Sequence, residues 1–361
     1  MEVIDERPQH PEPKLIGLAD FSAPNFGMVM ATGIVSLAAH MLDRPTIAHV
    51  LFLLNIAAYV VLWLLTALRL YLYPKRLIGD LVAHISGPGF FSMVAATGVL
   101  GSQCVILTGS FFWGTCLWVL AITLWFCLTY TIFAVLTVKE QKPQLDEGIN
   151  GGWLLAVVAT QSIAVLSALL ATHLEQPYKL EMNFLALSMW LWGGMLYIWL
   201  MSLIFYRYSF FTFSPADLSP PYWINMGAMA ISTLAGSLLI INAPEAPFLL
   251  SLLPFLKGFT VFFWATGTWW IPMLVVLALW RHVYKRFPMR YDPLYWGAVF
   301  PLGMYAASTF QMNHALSLDF LSAIPHVFLY CALLAWVTTL FGLAHMLLRL
   351  LSAATGKPQA S

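Results

Sequence analysis

The sequence predicts an all-α polytopic membrane protein with ten transmembrane helices, paired as five helical hairpins. Three observations predict this fold class: the composition, the number of long uncharged windows, and a motif that recurs in alternate windows. Of 361 residues, 60% are hydrophobic and 9% are charged, whereas soluble domains are about 45–50% apolar and about 25% charged. So few charges cannot cover a soluble globule of this size, and the composition therefore excludes a soluble enzyme, a nucleic-acid-binding protein and a disordered protein.

The transmembrane helices are counted from the windows that contain no Asp, Glu, Lys or Arg. A spanning helix needs about 20 mainly apolar residues. Nine windows meet this need: Phe21–Leu42, Pro45–Leu68, Leu81–Val138, Gly148–Leu174, Met182–Tyr206, Leu218–Pro244, Gly258–Trp280, Pro293–Leu318 and Phe320–Leu348. The third window is long enough for two helices and is divided near Gly109, where turn-forming residues interrupt it. Ten spans result, and they must be helices because lipid cannot satisfy free backbone polar groups.

The distribution of lysine and arginine predicts that both termini lie on the cytoplasmic side of the cell (inner) membrane. With this orientation, 14 of the 17 basic residues face the cytoplasm, as the positive-inside rule requires. We therefore expect a cytoplasmic N-terminal tail over residues 1–20, a transmembrane domain over 21–351 and a cytoplasmic C-terminal tail over 352–361. The start of the chain lacks the basic-then-apolar pattern of a cleaved targeting peptide.

A short motif recurs in alternate spans and indicates two kinds of helix. Phe26–Gly33 in span 1 and Phe91–Gly98 in span 3 share six of eight positions, and spans 5, 7 and 9 contain weaker copies. Even-numbered spans instead contain 12 of the 15 tryptophans. We therefore expect an inner ring of odd-numbered helices around a central pore and an outer ring of even-numbered helices against lipid. The alternative is that the small residues only pack neighbouring helices together.

Hydroxyl residues near the middle of the odd-numbered spans are candidates for lining this pore. They are Thr32, Ser36, Thr97, Thr160, Ser232 and Ser308, with neighbours such as Thr233 or Thr309 as alternatives if the helical register is shifted. The middle of every span lacks Asp, Glu, Lys and Arg, which argues against a carboxylate-driven symporter, a sodium-coupled pump and an intramembrane hydrolase. Hydroxyls and helix-end amides solvate anions weakly, so a path without fixed charge can still pass small anions, whereas cations would normally require acidic rings or convergent carbonyls and no acidic ring is found. We expect no enzyme activity, metal, cofactor or nucleic-acid partner.

Three further features bear on transport. His40, at the outer end of span 1, is a candidate for proton coupling, although a histidine near a membrane interface is usually a bystander. Pro301 is expected to kink span 9. A basic cluster follows span 8 and consists of Arg281, Lys285, Arg286 and Arg290. This cluster either concentrates anions at a cytoplasmic mouth or reflects the positive-inside bias alone.

Three segments resemble the tellurite-resistance/dicarboxylate transporter family, which includes the plant slow anion channel, the yeast malic acid transporter and the fungal sulfite efflux pump. These segments are Phe26–Ser36, Gly87–Phe91 and Trp296–Gly303, and the chain length is typical of a prokaryotic member. The resemblance implies a homotrimer in which each protomer has its own pore, ringed by the odd-numbered helices and plugged by a phenylalanine of span 9. By the Trp-x-x-x-Phe-Pro pattern this residue is Phe300. The alternative is that Phe300 is one of 25 phenylalanines that pack a core.

The first functional hypothesis is a channel or uniporter for small anions that is gated by Phe300. The alternative is a secondary carrier for a weak-acid anion such as malate, another C4-dicarboxylate or sulfite, with or without proton coupling. A proton-coupled carrier needs a titratable group on the pathway, and His40 is our candidate. A non-transporting scaffold or a membrane-embedded enzyme is the least favoured class, because it would leave the fivefold motif without a purpose.

Overall fold

The computed structural model describes residues 17–288 and 291–354, and all regular elements within these ranges are helices. Arg290 and most of the predicted tails at 1–20 and 352–361 lie outside the described residues. Ten helices of at least 15 residues are numbered in chain order. They are α1 (Gly27–Met41), α2 (Pro45–Leu72), α3 (Phe91–Thr108), α4 (Phe111–Val138), α5 (Leu155–Ala171), α6 (Tyr178–Phe210), α7 (Ile224–Asn242), α8 (Leu253–Leu279), α9 (Trp296–Leu316) and α10 (Ala323–Ala354).

Eight of these helices are long and apolar enough to cross a membrane, and the remaining two are α1 and α9. The prediction of an all-helical membrane protein is therefore confirmed, while the count of ten spans stays a prediction. The long third window is divided at Gly109, whose φ of 64° ends α3 in the left-handed conformation. Glycine adopts this conformation at low cost, and it is the commonest residue at such helix ends.

Each odd-numbered helix is preceded by a 3₁₀ turn that contains proline or glycine. The five turns are Ala23–Phe26, Gly87–Phe90, Gly151–Leu154, Pro220–Trp223 and Pro293–Tyr295. Proline fits the first turn of a helix because its missing N–H would have no helical partner there. Each turn contacts the next one, and the fifth contacts the first, so the turns form a closed collar at one end of the bundle.

The odd-numbered helices also contact one another in a closed cycle. Contacts join α1 to α3, α3 to α5, α5 to α7, α7 to α9 and α9 back to α1, and each even-numbered helix packs against the odd-numbered helices before and after it. In the most apolar windows of α3, α5 and α7, 89% to 94% of residues are buried, whereas the value is 22% to 50% for the five even-numbered helices. The two sets of helices thus occupy different environments.

Small residues allow the odd-numbered helices to approach closely. A Cβ on Gly98 of α3 would lie 2.7 Å from Ser162 Oγ and 2.9 Å from Ser162 Cβ of α5. A Cβ on Gly303 of α9 would lie 3.3 Å from the backbone nitrogen of Val35 in α1. These contacts support the alternative stated above for the small residues, since close packing explains part of the repeated motif.

Candidate functional site

A cavity of about 240 Å³ lies between the five odd-numbered helices. Every one of these helices contributes to the lining and, among the described residues, no even-numbered helix does. The lining residues are Ile34, Leu37, Met41, Gly98, Val99, Ser102, Ile106, Ser162, Val165, Leu169, Ile231, Leu234, Leu238, Met304 and Gln311. The lining thus contains no charged side chain and is mostly aliphatic.

The cavity opens at the C-terminal ends of the odd-numbered helices, and its lining becomes more buried toward their middle. Near those ends the lining residues Met41, Ile106 and Gln311 are partly exposed. One or two turns deeper, Ile34 and Met304 are each only 1% exposed. This gradient of exposure indicates a blind funnel rather than a pathway that is open at both ends.

Phe300 lies just beyond the closed end of this funnel. It is fully buried and precedes the lining residue Met304 by four positions in α9, so both side chains lie on the same helix face. Phe300 Cδ1 is 3.3 Å from the position that a Cβ on Gly227 of α7 would occupy. At corresponding positions of α1 and α5, one turn before the lining, Met30 and Val158 are also buried.

The six hydroxyl residues predicted to line the pore are all buried, but none of them lines this cavity. Thr32, Thr97 and Thr160 lie two positions before the lining residues Ile34, Val99 and Ser162. Two residues correspond to a rotation of about 200° on a helix, so these threonines face away from the cavity. The cavity is thus lined by the helices that carry the repeated motif, while the pore-lining role of the six hydroxyl residues stays a prediction.

The other three hydroxyl residues differ in orientation. Ser36 donates a hydrogen bond to the Ala48 carbonyl of α2 at 2.7 Å, so it too faces an even-numbered helix. Ser232 donates to the Ala228 carbonyl of its own helix. Ser308 lies four positions after Met304 and three before Gln311 in α9, so it shares their helix face. Its hydroxyl donates a hydrogen bond to the Tyr305 carbonyl at 3.3 Å.

The outward-facing hydroxyls have partners that the sequence analysis did not identify. An aromatic side chain of each even-numbered helix hydrogen-bonds to the odd-numbered helix that follows, and α10 bonds to α1. The five contacts are Tyr59 OH with Thr97 Oγ1 (2.9 Å), Trp125 Nε1 with Thr160 Oγ1 (2.8 Å), Trp190 Nε1 with the Ser232 carbonyl (2.8 Å), Trp264 Nε1 with Thr309 Oγ1 (3.0 Å) and Trp336 Nε1 with Thr32 Oγ1 (2.9 Å). Buried indole N–H groups need acceptors, so mid-span tryptophans were the signal that could have indicated these contacts.

His40 and Pro301 were also predicted to contribute to transport. His40 is partly exposed at the end of α1, and its Nδ1 is buried without a hydrogen-bond partner among the described residues. His40 does not line the cavity. Pro301 lies inside α9 directly after Phe300, where its ring leaves the carbonyl four residues earlier without a helical donor. The predicted kink stays a prediction.

The basic cluster lies at the end of the bundle opposite the cavity opening. Arg281 donates a hydrogen bond to the Leu218 carbonyl, and its guanidinium lies 4.5 Å from the ring centre of Phe287. It lines a small space together with Ala298, near the start of α9. Lys285 and Arg286 are exposed, and Arg290 falls outside the described residues.

Three ion pairs among the described residues at this same end were not predicted, and two of them contain a buried arginine. Arg69, at the end of α2, lies 2.5 Å from Asp80, and Arg207, at the end of α6, lies 3.2 Å from Asp217. In both of these pairs the aspartate follows the arginine by a nearly equal number of residues, and this repetition in the sequence could have indicated the pairs. Burial raises the pKa of Asp217, but hydrogen bonds from Ser214 and the charge of Arg207 outweigh it, so the pKa lies below its usual value.

Comparisons with known proteins identify the family of this chain. A family model described as a voltage-dependent anion channel, SLAC1, matches residues 20–344. An uncharacterized membrane protein of Mycobacterium tuberculosis is 39% identical over 152 residues, which cover 42% of this chain and 77% of that protein. Two uncharacterized transporters of Methanocaldococcus jannaschii are 26% and 24% identical, over 90% and 91% of this chain and 94% of each transporter. The resemblance drawn from the sequence motifs is thus confirmed, and the chain belongs to the SLAC1 family.

Proposed function

We propose that this protein transports small anions through the space between its odd-numbered helices, and that Phe300 gates this pathway. The observation that carries the proposal is the uncharged cavity, which all five odd-numbered helices line and which ends one turn before a fully buried phenylalanine. An acidic ring, the usual device for cations, is missing from the lining among the described residues. Membership of the SLAC1 family and the transporter names of the archaeal relatives support the same function.

In this proposal all ten helices cross the cell membrane, the odd-numbered ones as an inner ring and the even-numbered ones against lipid. The closed cycle of helix contacts and the difference in burial support this arrangement. The collar of 3₁₀ turns and the basic cluster lie on the cytoplasmic side, together with both termini, because basic side chains are retained there. Three protomers form a trimer in which each has its own pathway, as the family resemblance implies.

The side chains that line the pathway are those of the cavity, continued toward the cytoplasm by the residues one turn earlier on each helix. Ser308 is the one member of the six predicted hydroxyl residues that shares this face. Thr32, Thr97 and Thr160 instead hold the even-numbered helices in place. An aliphatic lining binds anions weakly, which allows them to leave as well as to enter.

The phenyl ring of Phe300 closes the pathway by filling its cross-section and excluding water. Gly227, on the neighbouring α7, leaves room for the ring, because even a Cβ at that position would lie 3.3 Å from it. Removal of the ring would therefore join the cavity to the cytoplasmic half. A rearrangement of α9 near Pro301 would have the same effect without a mutation.

The test is the chloride current of purified Phe300→Ala protein in planar lipid bilayers. We expect a current at least about tenfold above that of the parent protein, because the hydrophobic barrier is lost. Phe263→Ala is the matched control, since Phe263 is equally buried but lies on α8, against Trp190. An unchanged current in Phe300→Ala, or an equal rise in Phe263→Ala, would contradict the gate assignment.

The position of His40 favours a passive pathway over a proton-coupled carrier, because its side chain lies outside the cavity lining. Reversal potentials measured at two pH gradients distinguish the two mechanisms. A channel or uniporter follows the anion gradient alone, whereas a carrier that moves malate or sulfite with protons shifts its reversal potential with pH.

A further inference from the structure

Five side chains form the mouth of the cavity, one from each odd-numbered helix. They are Met41, Ile106, Leu169, Leu238 and Gln311. Each lies seven positions after a deeper lining residue on the same helix, at the same point of the helical repeat. Four of the five helices therefore place an aliphatic or thioether side chain at this level, and α9 alone places an amide there.

Among the described residues, Gln311 supplies the only side-chain N–H groups of the lining. The other polar side chains that line the cavity are serines whose hydroxyls bond to their own helices, Ser102 to the Gly98 carbonyl at 2.9 Å and Ser162 to the Ala159 carbonyl at 2.7 Å. Within the part of the chain that the structure describes, the Gln311 amide has no hydrogen-bond partner. The remaining lining residues have aliphatic or thioether side chains or none.

An amide in this position has a chemical consequence for an anion at the mouth. An anion that enters an aliphatic funnel loses part of its hydration shell, and burying a charge without a partner is costly. The two N–H donors of a glutamine amide can replace part of the lost hydration, whereas the four other mouth residues cannot. This partly exposed amide has no protein partner within the described ranges and interrupts an otherwise apolar ring, which is the kind of local inconsistency that marks functional positions.

We propose that Gln311 binds the incoming anion at the mouth of the cavity and determines specificity there. Its ligands are small monovalent anions that accept hydrogen bonds strongly, such as chloride or formate, in preference to weak acceptors such as iodide. The Nε2–H groups point to the anion and the Oε1 atom turns away from it. This assignment rests on the anion pathway proposed above.

The experiment measures the chloride-to-iodide permeability ratio from reversal potentials, in the Phe300→Ala protein. Gln311→Met gives α9 the side chain that α1 already has at this level, so the change in shape is small. We expect the ratio to fall about tenfold, because a hydrogen bond to a charged group is lost. Gln311→Leu, which copies the leucines of α5 and α7, is a second variant with the same expectation.

Two further variants test the direction of the effect. Met41→Gln adds a second amide to the mouth and is expected to raise the ratio, whereas Met41→Leu is the matched control and should leave it unchanged. An equal ratio in Gln311→Met, Gln311→Leu and the parent would overturn the role of Gln311 while the anion current itself persists. Absence of any anion current in Phe300→Ala would instead overturn the proposed function, and this inference with it.

Discussion

Helices α5 and α10 show how two similarly apolar helices can occupy opposite environments. Both are long and apolar enough to cross a membrane, yet 94% of the α5 window is buried and only 22% of the α10 window. What differs is side-chain size, because α5 consists mainly of Ala, Val, Ser, Thr and Leu, whereas α10 also contains Phe, Tyr and Trp. In a membrane, then, small side chains rather than greater hydrophobicity mark the helices that pack inside.

The largest difference in stability is expected when one glycine of an odd-numbered helix and one glycine of an even-numbered helix are each replaced by alanine. Gly98→Ala in α3 forces a contact with Ser162 of α5, and overpacking of this kind costs about 1–3 kcal/mol. Gly258→Ala in α8 meets nothing within 4 Å, and alanine favours a helix by up to about 1 kcal/mol. Thermal unfolding in detergent should therefore occur at a lower temperature for Gly98→Ala and at an equal or higher one for Gly258→Ala. Equal shifts of the two transition temperatures would refute the distinction.

Removing a hydrogen bond between an even-numbered and an odd-numbered helix is expected to change the free energy of unfolding by a smaller amount. Trp125→Phe keeps an aromatic ring but removes the N–H that bonds to Thr160 at 2.8 Å, at an expected cost of about 1 kcal/mol. Trp113→Phe on the same helix changes a side chain that is 59% exposed and should cost almost nothing.

A double-mutant cycle of Trp125→Phe with Thr160→Val isolates this contact. We expect a coupling of about 0.5–1.5 kcal/mol in the free energy of unfolding. Strictly additive effects would mean that the indole and the hydroxyl are neighbours without a stabilising bond.

The smallest effect on stability is expected from the charged residues that lie at the ends of the even-numbered helices. The pKa of Asp217 is lower in the folded state, so its contact with Arg207 stabilises the fold above the unfolded pKa and is lost as the pH falls through the folded pKa. Asp217→Asn should lower the free energy of unfolding at neutral pH and weaken the fall in that free energy as the pH drops below about 4, the ordinary pKa of an aspartate. Asp20→Asn is the control, because it alters an exposed pair with Arg76 and should leave the dependence of stability on pH unchanged. If the parent, Asp217→Asn and Asp20→Asn lost stability in acid to the same extent, the contact between Asp217 and Arg207 would make no such contribution.

Features that depend on composition along the chain could be predicted from the sequence. Charge-free windows located the long helices, and the glycine between α3 and α4 divided the longest window. Features that depend on rotation about the helix axis could not be predicted in this way. A threonine in the middle of a span is equally suited to face an anion or an indole N–H, and Thr160 has an indole partner, Trp125. Gln311 could not be recognised either, since only the spacing of the lining residues shows that it interrupts an apolar ring.

The off-centre position of the cavity has an electrical consequence for the proposed pathway. A funnel that is filled with solution carries the potential of the compartment to which it opens. The membrane voltage then falls mainly across the remaining half of the bundle, where Phe300 lies one turn, about 5.4 Å, beyond the lining residue Met304. An anion that passes this aromatic ring is therefore moving through the part of the bundle where the field is concentrated, and most of the driving energy, about 2.3 kcal/mol for each 100 mV, is released over that half.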